Sequence, residues 1–548
     1  MFTSIAVAAL AFVAPVVGDD VLHSRRMTRR FIDDEGHFNM SFIHVNDVHA
    51  HLDEFSSSGT DCTRPERGCF GGIARIKTVL DELRADHPDN LVINAGDEFQ
   101  GTLFYSFYGP EKISGSVNLL EYDVMTLGNH EWDGGDEELG LFLNNLTFPV
   151  VSANIVSEYE NLKKNIKKYH IFEVYGVAVI GATTETTPGI SSVGELTTFL
   201  DPIPEIQRAV YEIRNTTNIT RIIALTHLGY DVDKRLAAET EGLSLIIGGH
   251  SHTPLGPMPN PLGGYPTIVD NINGDEVFVV TAYRWGEFLG YIDMTWDAEG
   301  RPLAYTGAPE HLTNTTAQDP EVQALVDAWR GPFEEFAAEV IGVTKNELDQ
   351  TTCQLGDCLL GQVMADAMLE YRMNQTAGSP TRPDFAFINA GGVRATIDAG
   401  EITRGEVLTS FPFGNAIVEI TLTGAQVWQL LEGAVSRINQ SNGRPITSWF
   451  QVSDNIEILY DPSRQAGDVL RRVTIGGELM EEDGQYRIVT LDFLAGGGDN
   501  FFTPTRDFAT LDTQDEVLVG YIRARTPLTN SLQPRVTARS CRRKAARS

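Results

Sequence analysis

The sequence predicts an α/β protein of two large domains joined by a helix. The chain has 548 residues, which is more than a single hydrophobic core usually supports. In the first half, short apolar runs alternate with polar, helix-like stretches, as expected of buried strands in an α/β domain. The second half, from about residue 343, carries glycine-rich turns and almost no metal-ligand motifs. We therefore expect chemistry in the first domain and recognition in the second.

Five apolar runs mark the strands predicted for the first domain. They read SFIHV, NLVINAG, VAVIGA, RIIALTH and LSLIIGGH, and each is short and rich in aliphatic or aromatic residues. Between the first two runs, residues 73–87 carry apolar side chains at helical spacing and stop before Pro88. This alternation favours a sheet of buried strands with helices packed on it.

A helix predicted around residues 319–342 connects the two halves. Asp319 followed by Pro320 is typical of an N-cap and a first helical position. Apolar residues then recur at helical spacing, namely Val322, Leu325, Val326 and Trp329. Gly331 and Pro332 are predicted to interrupt this helix, which resumes at Phe333. The alternative is an ordinary helix within one domain.

The charge balance excludes one class of partner. The chain has 42 basic and 75 acidic residues, a formal net charge of -33. A protein that binds a nucleic-acid polymer needs a basic face, so we expect no such partner. An anionic substrate must then be held by local metal ions and arginines, against the sign of the overall field.

The ends of the chain and its cysteines predict export. Residues 1–18 contain a short apolar run, interrupted by Pro15, that is typical of a signal peptide, with a membrane anchor as the alternative. The basic C-terminus lacks the hydrophobic tail of a lipid anchor, so we expect a secreted protein without a stable membrane anchor. Cys62 with Cys69 and Cys353 with Cys358 are the simplest disulfide pairs, which leaves Cys541 over. N-glycosylation is predicted from sequons at Asn39, Asn145, Asn215, Asn218, Asn314, Asn374 and Asn439.

Five apolar runs end in residues that can bind metal ions. The carboxyl ends of strands gather at one edge of an open sheet, so these residues are expected to lie together. They are Asp47, His49, Asp97, Asn129, His227, His250 and His252. Carboxylate and imidazole suit two divalent ions, with zinc expected first and manganese or another ion as alternatives. A carboxylate can bridge two ions, and Asp97 is the natural candidate.

The order of these motifs resembles a known superfamily. The series D-x-H, GD, GNH, H and GHxH is similar to that of the calcineurin-like metallophosphoesterases. Within that superfamily, GNHEWD, NAGGVR, FPFGN and FLAGGGDNF resemble the 5'-nucleotidase family, which includes ecto-5'-nucleotidases, UDP-sugar hydrolases and apyrase-like enzymes. The matched motifs run from Asp47 to Asp499 and so cover most of the chain.

The resemblance implies a fold and a division of the ligands. It implies a four-layer αββα sandwich over residues 40–315, a linker helix over 316–342 and an α+β nucleotide-binding domain over 343–538. One ion would take Asp47, His49, Asp97 and His252. The other ion would take Asp97, Asn129, His227 and His250. Because related enzymes rotate one domain against the other, we also predict a hinge near the linker helix.

The resemblance also implies roles for residues outside the metal set. His130 and Asp133 match a catalytic pair in which the carboxylate orients the imidazole beside the phosphoryl group. The alternative is that His130 only supports the metal ligands. Five residues of the second half match the nucleotide-binding set: Asn389, Arg394, Phe413, Phe493 and Asp499. Arg394 would bind phosphate, the two phenylalanines would stack on the base, and Asp499 would accept from the ribose.

Two positions depart from the pattern of the animal ecto-5'-nucleotidases. Those enzymes carry an arginine at the positions matched here by Gln354 and His51. Two positive charges near the phosphate are therefore missing or replaced, which leaves the preference for a monophosphate over a di- or triphosphate open. From the family resemblance we expect a nucleoside 5'-monophosphate as the first substrate, with an apyrase-like, UDP-sugar or cyclic-nucleotide hydrolase as the alternative. A nucleotide-binding protein without turnover is a remote third reading. The sequence does not determine the oligomeric state.

Overall fold

The computed structural model describes residue 32 and residues 36–57, 59–62, 65–378, 382–505 and 510–539. The strands of the first half are β1 (Phe38–Val45), β2 (Asn90–Asn94), β3 (Val124–Met125), β4 (Val150–Val151), β5 (Ile155–Ser157), β6 (Ile166–Lys167), β7 (Tyr169–Phe172), β8 (Val177–Thr183), β9 (Thr197–Phe199), β10 (Arg221–His227), β11 (Leu245–Ile247), β12 (Thr267–Asp270), β13 (Glu276–Val280), β14 (Phe288–Trp296), β15 (Pro302–Thr306) and β16 (Glu310–His311). Its helices are α1 (Ile73–Asp86), α2 (Leu103–Tyr108), α3 (Pro110–Leu119), α4 (Gly135–Asn145), α5 (Glu160–Asn165), α6 (Thr187–Ile190), α7 (Pro202–Thr216) and α8 (Tyr230–Glu239).

Two sheets form the centre of the first domain. The first has the order β15-β14-β1-β2-β3-β4-β6, with β16 paired to β14, and the second has the order β12-β13-β11-β10-β8-β7. One buried cluster, which includes Phe42, Ile93 and Ile223, joins strands of both sheets, so the sheets pack face to face. A second cluster joins the first sheet to α1–α4, and a third joins the second sheet to α7 and α8. This arrangement is the expected four-layer αββα sandwich.

The parallel strands at the centre of each sheet explain where the metal motifs end up. β1 pairs in parallel with β2, and β10 pairs in parallel with both β8 and β11. All five predicted apolar runs lie on strands, and the predicted helix after the first run is α1. Asp47 follows β1 by two residues, Asp97 follows β2 by three, and His227 is the last residue of β10. The ligand candidates therefore leave their strands at the carboxyl ends, where loops converge.

The connecting helix α9 (Pro320–Ala337) is continuous, contrary to the predicted interruption. Asp319 caps it by accepting from the backbone N–H groups of Glu321 and Val322 at 3.0 and 2.9 Å, as predicted. Pro332 lies inside the helix without breaking it. The Tyr108 hydroxyl donates to the carbonyl of Trp329 at 2.7 Å, which satisfies one acceptor in the turn that the proline disturbs.

Helix α9 packs its apolar face on the first domain. Val322, Val326 and Phe333 belong to the same buried cluster as the helices over the first sheet. A hinge within α9 would disrupt that packing. The predicted hinge and the exact domain boundaries stay predictions.

The second domain has its own core and a mostly antiparallel architecture. Its strands are β17 (Val340–Thr344), β18 (Phe385–Asn389), β19 (Gly400–Thr403), β20 (Ala416–Thr423), β21 (Phe450–Val452), β22 (Ile456–Tyr460), β23 (Leu470–Ile475), β24 (Glu478–Leu479), β25 (Gln485–Leu491), β26 (Thr510–Thr513) and β27 (Val536–Ala538). Its helices are α10 (Leu359–Gln375), α11 (Arg404–Ser410), α12 (Gly424–Ser436), α13 (Asp492–Ala495) and α14 (Gln514–Arg525). The sheets have the orders β21-β18-β25-β20-β26, β24-β23-β22-β27 and β17-β19. This is the expected α+β domain.

The structure bears on several predictions about export. Disulfides join Cys62 to Cys69 and Cys353 to Cys358, as predicted. Among the described residues, no helix is long and apolar enough to cross a membrane. The proposed signal peptide and Cys541 lie outside the described residues. The side chain of Asn439 is buried and donates to the carbonyl of Asn500 at 2.7 Å, so this sequon is not accessible for glycosylation in the folded chain.

Candidate active site

The metal-ligand candidates lie on loops with an unusual backbone conformation. Asp47, His49, Asp97, His250 and His252 all have positive φ, between 46° and 82°. Such values are rare outside glycine and cost free energy that the surrounding structure must supply. Here the loops stabilise each other, because the backbone N–H of Asp47 donates to Gly96 and that of His49 donates to Asp97, at 2.9 and 3.0 Å.

Asp47, His49 and His252 form one possible metal site. The Nε2 atom of His252 lies 3.3 Å from Asp47 Oδ1 and 3.1 Å from His49 Nε2. His49 Nε2 is also 3.8 Å from Asp97 Oδ2. The three side chains offer ligand atoms that all lie within 4.8 Å of one another. Their convergence fits one divalent ion in contact with Asp97.

Asp97, His227 and His250 form the adjacent possible site. Their ligand atoms also lie within 4.8 Å of one another, and His227 Nε2 is 3.0 Å from Asp97 Oδ2. The buried Oδ1 atom of Asn129 has no hydrogen-bond partner in the described structure. An unpaired buried amide oxygen is costly unless a cation or water satisfies it. Asp97 belongs to this second group, and its Oδ2 also lies 3.8 Å from His49 Nε2 of the first group, so its carboxylate adjoins both possible sites.

Hydrogen bonds leave the imidazoles ready to bind cations. His49 Nδ1 is 3.1 Å from the carbonyl of Phe99, and His227 Nδ1 is 2.7 Å from that of Ala95. Each carbonyl fixes the proton on Nδ1 and frees Nε2 as a ligand. Burial acts to raise the pKa of Asp97, but His227 and His130 outweigh it and hold that pKa well below the usual range. The donor set therefore fits divalent metal ions.

Glycines allow the ligand loops to approach one another. A side chain at Gly128 would collide with the Asp97 carboxylate, and one at Gly96 would collide with the Gly128 backbone. The buried Glu131 then ties the two loops together. It accepts from the backbone N–H groups of Glu98 and Gly128 at 2.7 and 2.5 Å, and burial raises its pKa to about 7. The motif GNHE thus combines a ligand with the residue that positions its loop.

His130 and Asp133 form the predicted pair beside the metal ligands. Asp133 Oδ2 is 2.7 Å from His130 Nδ1, and its other oxygen accepts from the Ser191 hydroxyl at 3.0 Å. The backbone N–H of His130 donates to Asp97 Oδ1 at 2.8 Å. Burial alone would lower the pKa of His130, but Asp133 and Asp97 outweigh it and raise that pKa. A protonated imidazole so placed can stabilise charge on a phosphoryl group.

The five predicted nucleotide-binding residues line the same cavity from the second domain. Asp499 accepts from the amide of Asn389 at 2.7 Å and from the hydroxyl of Thr447 at 2.6 Å. The Phe413 ring stacks on His130 with a centroid distance of 5.7 Å and an interplanar angle of 28°. Phe493 lines the same cavity from the short helix α13, which directly follows β25. Residues far apart in the chain are thus brought to one place.

A single cavity of about 780 Å³ joins the two halves of the site. The first domain contributes Asp97, Asn129, His130, His250 and His252, and the second contributes Asn389, Arg394, Phe413, Phe493 and Asp499. This volume is in the range of small-molecule sites and accommodates a nucleotide. Asp47, His49 and His227 are fully buried just behind the cavity wall.

Gln354 and His51, the two residues that differ from the arginines of the animal enzymes, carry no charge in the structure. Gln354 lines the cavity, and its Oε1 accepts from the backbone N–H of Trp449 at 3.0 Å. His51 is buried, contacts backbone carbonyls through both ring nitrogens and has its pKa lowered to about 4 by burial. Two residues that the sequence did not single out also face the cavity, Gln100 and Arg284. Neither occurs in a motif, so only the fold reveals them.

Comparison with known proteins agrees with this geometry. Residues 40–254 match the family model of the calcineurin-like phosphoesterases, and residues 340–505 match that of the 5'-nucleotidase C-terminal domain. A 5'-nucleotidase of Bos taurus is 32% identical over 513 residues, with 88% of each chain covered. A snake venom 5'-nucleotidase of Naja atra is 32% identical and covers 85% of this chain and 92% of its own.

A solved structure supports the same assignment. The 5'-nucleotidase precursor of Thermus thermophilus has a TM-score of 0.83 and 33% identity, covering 91% of this chain and 99% of that one. The fold and the ligand pattern define a calcineurin-like phosphoesterase, a class that uses divalent metal ions. With 32% identity over most of its length, the chain belongs to the 5'-nucleotidase family.

Proposed function

We propose that this protein hydrolyses nucleoside 5'-monophosphates to nucleoside and phosphate. The observation that carries the proposal is the shared cavity, in which metal-ligand clusters of the first domain face aromatic rings and an arginine of the second. The first domain accounts for phosphoester hydrolysis. The second accounts for selection of a nucleotide, because its aromatic rings stack on the base and the guanidinium of its arginine binds the phosphate.

Two divalent ions are proposed as cofactors, zinc first and manganese as the alternative. One ion would be held by Asp47, His49, Asp97 and His252. The other would be held by Asp97, Asn129, His227 and His250. Ions so placed supply Lewis-acid polarisation of the phosphate and a water of lowered pKa. Mixed carboxylate and imidazole donors, without thiolate, support both choices of metal.

The residues of the chain have separate proposed roles around the substrate. His130, oriented by Asp133, stabilises the transferring phosphoryl group or protonates the leaving oxygen. Arg394 binds phosphate oxygens, and Phe413 and Phe493 stack on the base. Asn389 binds base or phosphate. Asp499 accepts from the ribose hydroxyls in place of one of its present donors.

Other phosphorylated substrates are the second proposal. Gln354 and His51 are uncharged where the animal enzymes carry arginine, so the charge that selects a monophosphate is arranged differently here. An apyrase-like, UDP-sugar or cyclic-nucleotide hydrolase would use the same metal ligands. A binding protein without turnover would need a damaged ligand set, whereas the clusters here are intact.

Phosphate release across a substrate panel separates these readings. AMP, ADP, ATP, UDP-glucose and 3'-AMP would be tested with and without a metal chelator. We expect AMP to give the highest kcat/KM and the chelator to abolish release. Faster hydrolysis of ADP or UDP-glucose would favour the second proposal. Release that resists the chelator would contradict the metal-dependent reading.

Replacing Phe493 with leucine tests base stacking. Stacking on an aromatic ring is worth about 1–3 kcal/mol per base, so we expect KM for AMP to rise roughly five- to a hundredfold. Inhibition by inorganic phosphate, which has no base, should remain as in the wild type. Steady-state kinetics with AMP and with phosphate as inhibitor measure both. An equal loss of phosphate affinity would show that the ring only shapes the cavity.

We also propose that the protein is exported, for reasons that do not depend on the active site. Two disulfides persist only in an oxidising compartment, and residues 1–18 have the pattern of a signal peptide. Glycosylation at one or more of the accessible sequons, such as Asn145 and Asn215, belongs to the same proposal. The exposed position of both side chains is compatible with a glycan.

A further inference from the structure

Arg284 is a partly buried cation in the active-site cavity, and no sequence motif assigns a role to it. It lies in the segment Ala282–Trp285, between strands β13 and β14, and lines the same cavity as the metal ligands and Arg394. Its Nε is buried and has no hydrogen-bond partner. Within the described part of the chain, its guanidinium forms no ion pair with a carboxylate, and its side chain contacts that of Tyr283.

The backbone holds Arg284 beside the first metal site. The backbone N–H of Trp285 donates to the carbonyl of Asp47 at 2.6 Å, and the Asn46 amide donates to the carbonyl of Tyr283 at 2.8 Å. Both neighbours of Arg284 have positive φ, 67° for Tyr283 and 60° for Trp285. Such a conformation is retained where the surrounding structure enforces it. The backbone on both sides of Arg284 is thus bonded to the loop that carries Asn46 and Asp47.

The indole ring of Trp285 contacts the guanidinium of Arg284. The Arg284 carbon Cζ is 3.7 Å from the centroid of the Trp285 ring, which is a cation–π contact. The same ring stacks on His51 at a centroid distance of 4.9 Å. His51 is the neutral residue that stands where the animal enzymes have arginine. The positive charge missing at position 51 is therefore present on the neighbouring loop.

Arg284 and Arg394 face one cavity from different domains. Arg394 also forms no ion pair with a carboxylate in the described structure, and its Nη1 donates only to the carbonyl of Gly391, at 3.3 Å. Burial lowers the pKa of both arginines; for Arg394, the charges of Asp97 and Asp133 act to raise the pKa and the charge of Arg284 acts to lower it. Two partly buried cations that face one cavity and form no ion pair with a carboxylate favour an anion in the space between them.

We propose that Arg284 is a second phosphate-binding arginine, which holds the phosphoryl group at the metal centre from the side of the first domain. This inference rests on the proposed function. The ligand class is a terminal phosphate monoester or its product, inorganic phosphate. Arg394 binds the same phosphoryl group from the second domain, so the two guanidinium groups hold the phosphoryl group between them. Arg284 is a substrate-binding residue under this proposal and performs no proton transfer.

Calorimetric titration of inorganic phosphate into the metal-loaded protein tests the proposal without any turnover. We expect Arg284→Gln to weaken phosphate binding about tenfold to a hundredfold, because a charge-assisted hydrogen bond is lost. Arg284→Lys should recover part of the affinity. Inhibition by adenosine, which has no phosphate, should stay as in the wild type. The matched control is Arg235→Gln on the exposed face of α8, which should bind phosphate normally.

Three outcomes would overturn the proposal. Unchanged phosphate affinity in Arg284→Gln would remove Arg284 from the site. Equal loss of adenosine and phosphate binding would mean that the residue only supports the loop. A raised KM for ADP with unchanged phosphate affinity would place it at a second phosphate. If the wild-type protein hydrolyses no nucleotide, the proposed function fails, while the phosphate titration still decides the role of Arg284.

Discussion

Replacement of His130 by alanine is expected to lower the turnover of AMP by about 10²- to 10⁴-fold while both metal ions stay bound. The imidazole is oriented by Asp133 at 2.7 Å, and its backbone N–H is tied to Asp97. Its ring packs edge-on against His49 at a centroid distance of 5.1 Å, so it lies beside the metal ligands. Loss of the ring removes a group that acts on the phosphoryl oxygens and leaves the ligands in place.

Kinetics and metal content must be measured together for this variant. His130 also lies within ligand distance of His49 and Asp97, so it could instead be a metal ligand. If the alanine variant loses an ion, that alternative is correct and the catalytic role is wrong. Wild-type turnover with both ions bound would equally contradict the account. His170→Ala, on strand β7 far along the other sheet, is the matched control and should retain full activity.

The second large effect is expected for Asp97→Asn. Asp97 groups with His227 and His250 in one possible metal site and lies 3.8 Å from His49 of the other, and an amide of the same size cannot bridge two cations. We expect at least one ion to be lost and kcat/KM for AMP to fall by about 10³-fold or more, which corresponds to several kcal/mol of transition-state stabilisation. Elemental analysis of the purified protein and phosphate-release kinetics measure the two effects.

The control for Asp97→Asn changes the same charge at the surface. Asp81 forms an exposed ion pair with Lys77 on α1, and pairs of this kind contribute little. Asp81→Asn should keep both ions and normal kinetics. An Asp97→Asn protein that keeps two ions and wild-type kinetics would refute the shared-ligand assignment.

Much of the first domain could be predicted because its signals are local. Buried parallel strands need continuous apolar runs, and the ligands follow at their ends, so a strand and its metal ligand occupy one short segment of sequence. Asp47 after β1 and His227 at the end of β10 were predicted in this way, and the structure brings them together. The contact between them is 3.9 Å, between His227 Nε2 and Asp47 Oδ1.

Features that depend on tertiary structure could not be predicted. Pro332 was expected to interrupt the connecting helix, yet the helix is continuous there, with Phe333 packed on the first domain and the Tyr108 hydroxyl bonded to the carbonyl of Trp329. The sequon at Asn439 gave no sign that its side chain is buried. Arg284 lies in no motif, and its place at the cavity follows from the pairing of its loop with Asn46 and Asp47.

Nucleotide recognition could be predicted only through resemblance. Phe413 and Phe493 have the pattern of ordinary core aromatics, and nothing local indicates that they face a cavity. The structure places Phe413 on His130 across the domain boundary, a contact between residues 283 positions apart in the chain. Long-range approach of this kind is set by how the two domains dock, which short sequence motifs do not encode.

Anomalous diffraction from crystals of the metal-loaded protein tests the central claim most directly, since that claim is that two ions share Asp97 on the predicted ligand set. The account predicts two peaks, one bounded by Asp47, His49 and His252 and the other by Asn129, His227 and His250, with the Asp97 carboxylate between them. A single peak, or peaks away from these side chains in an active preparation, would contradict it.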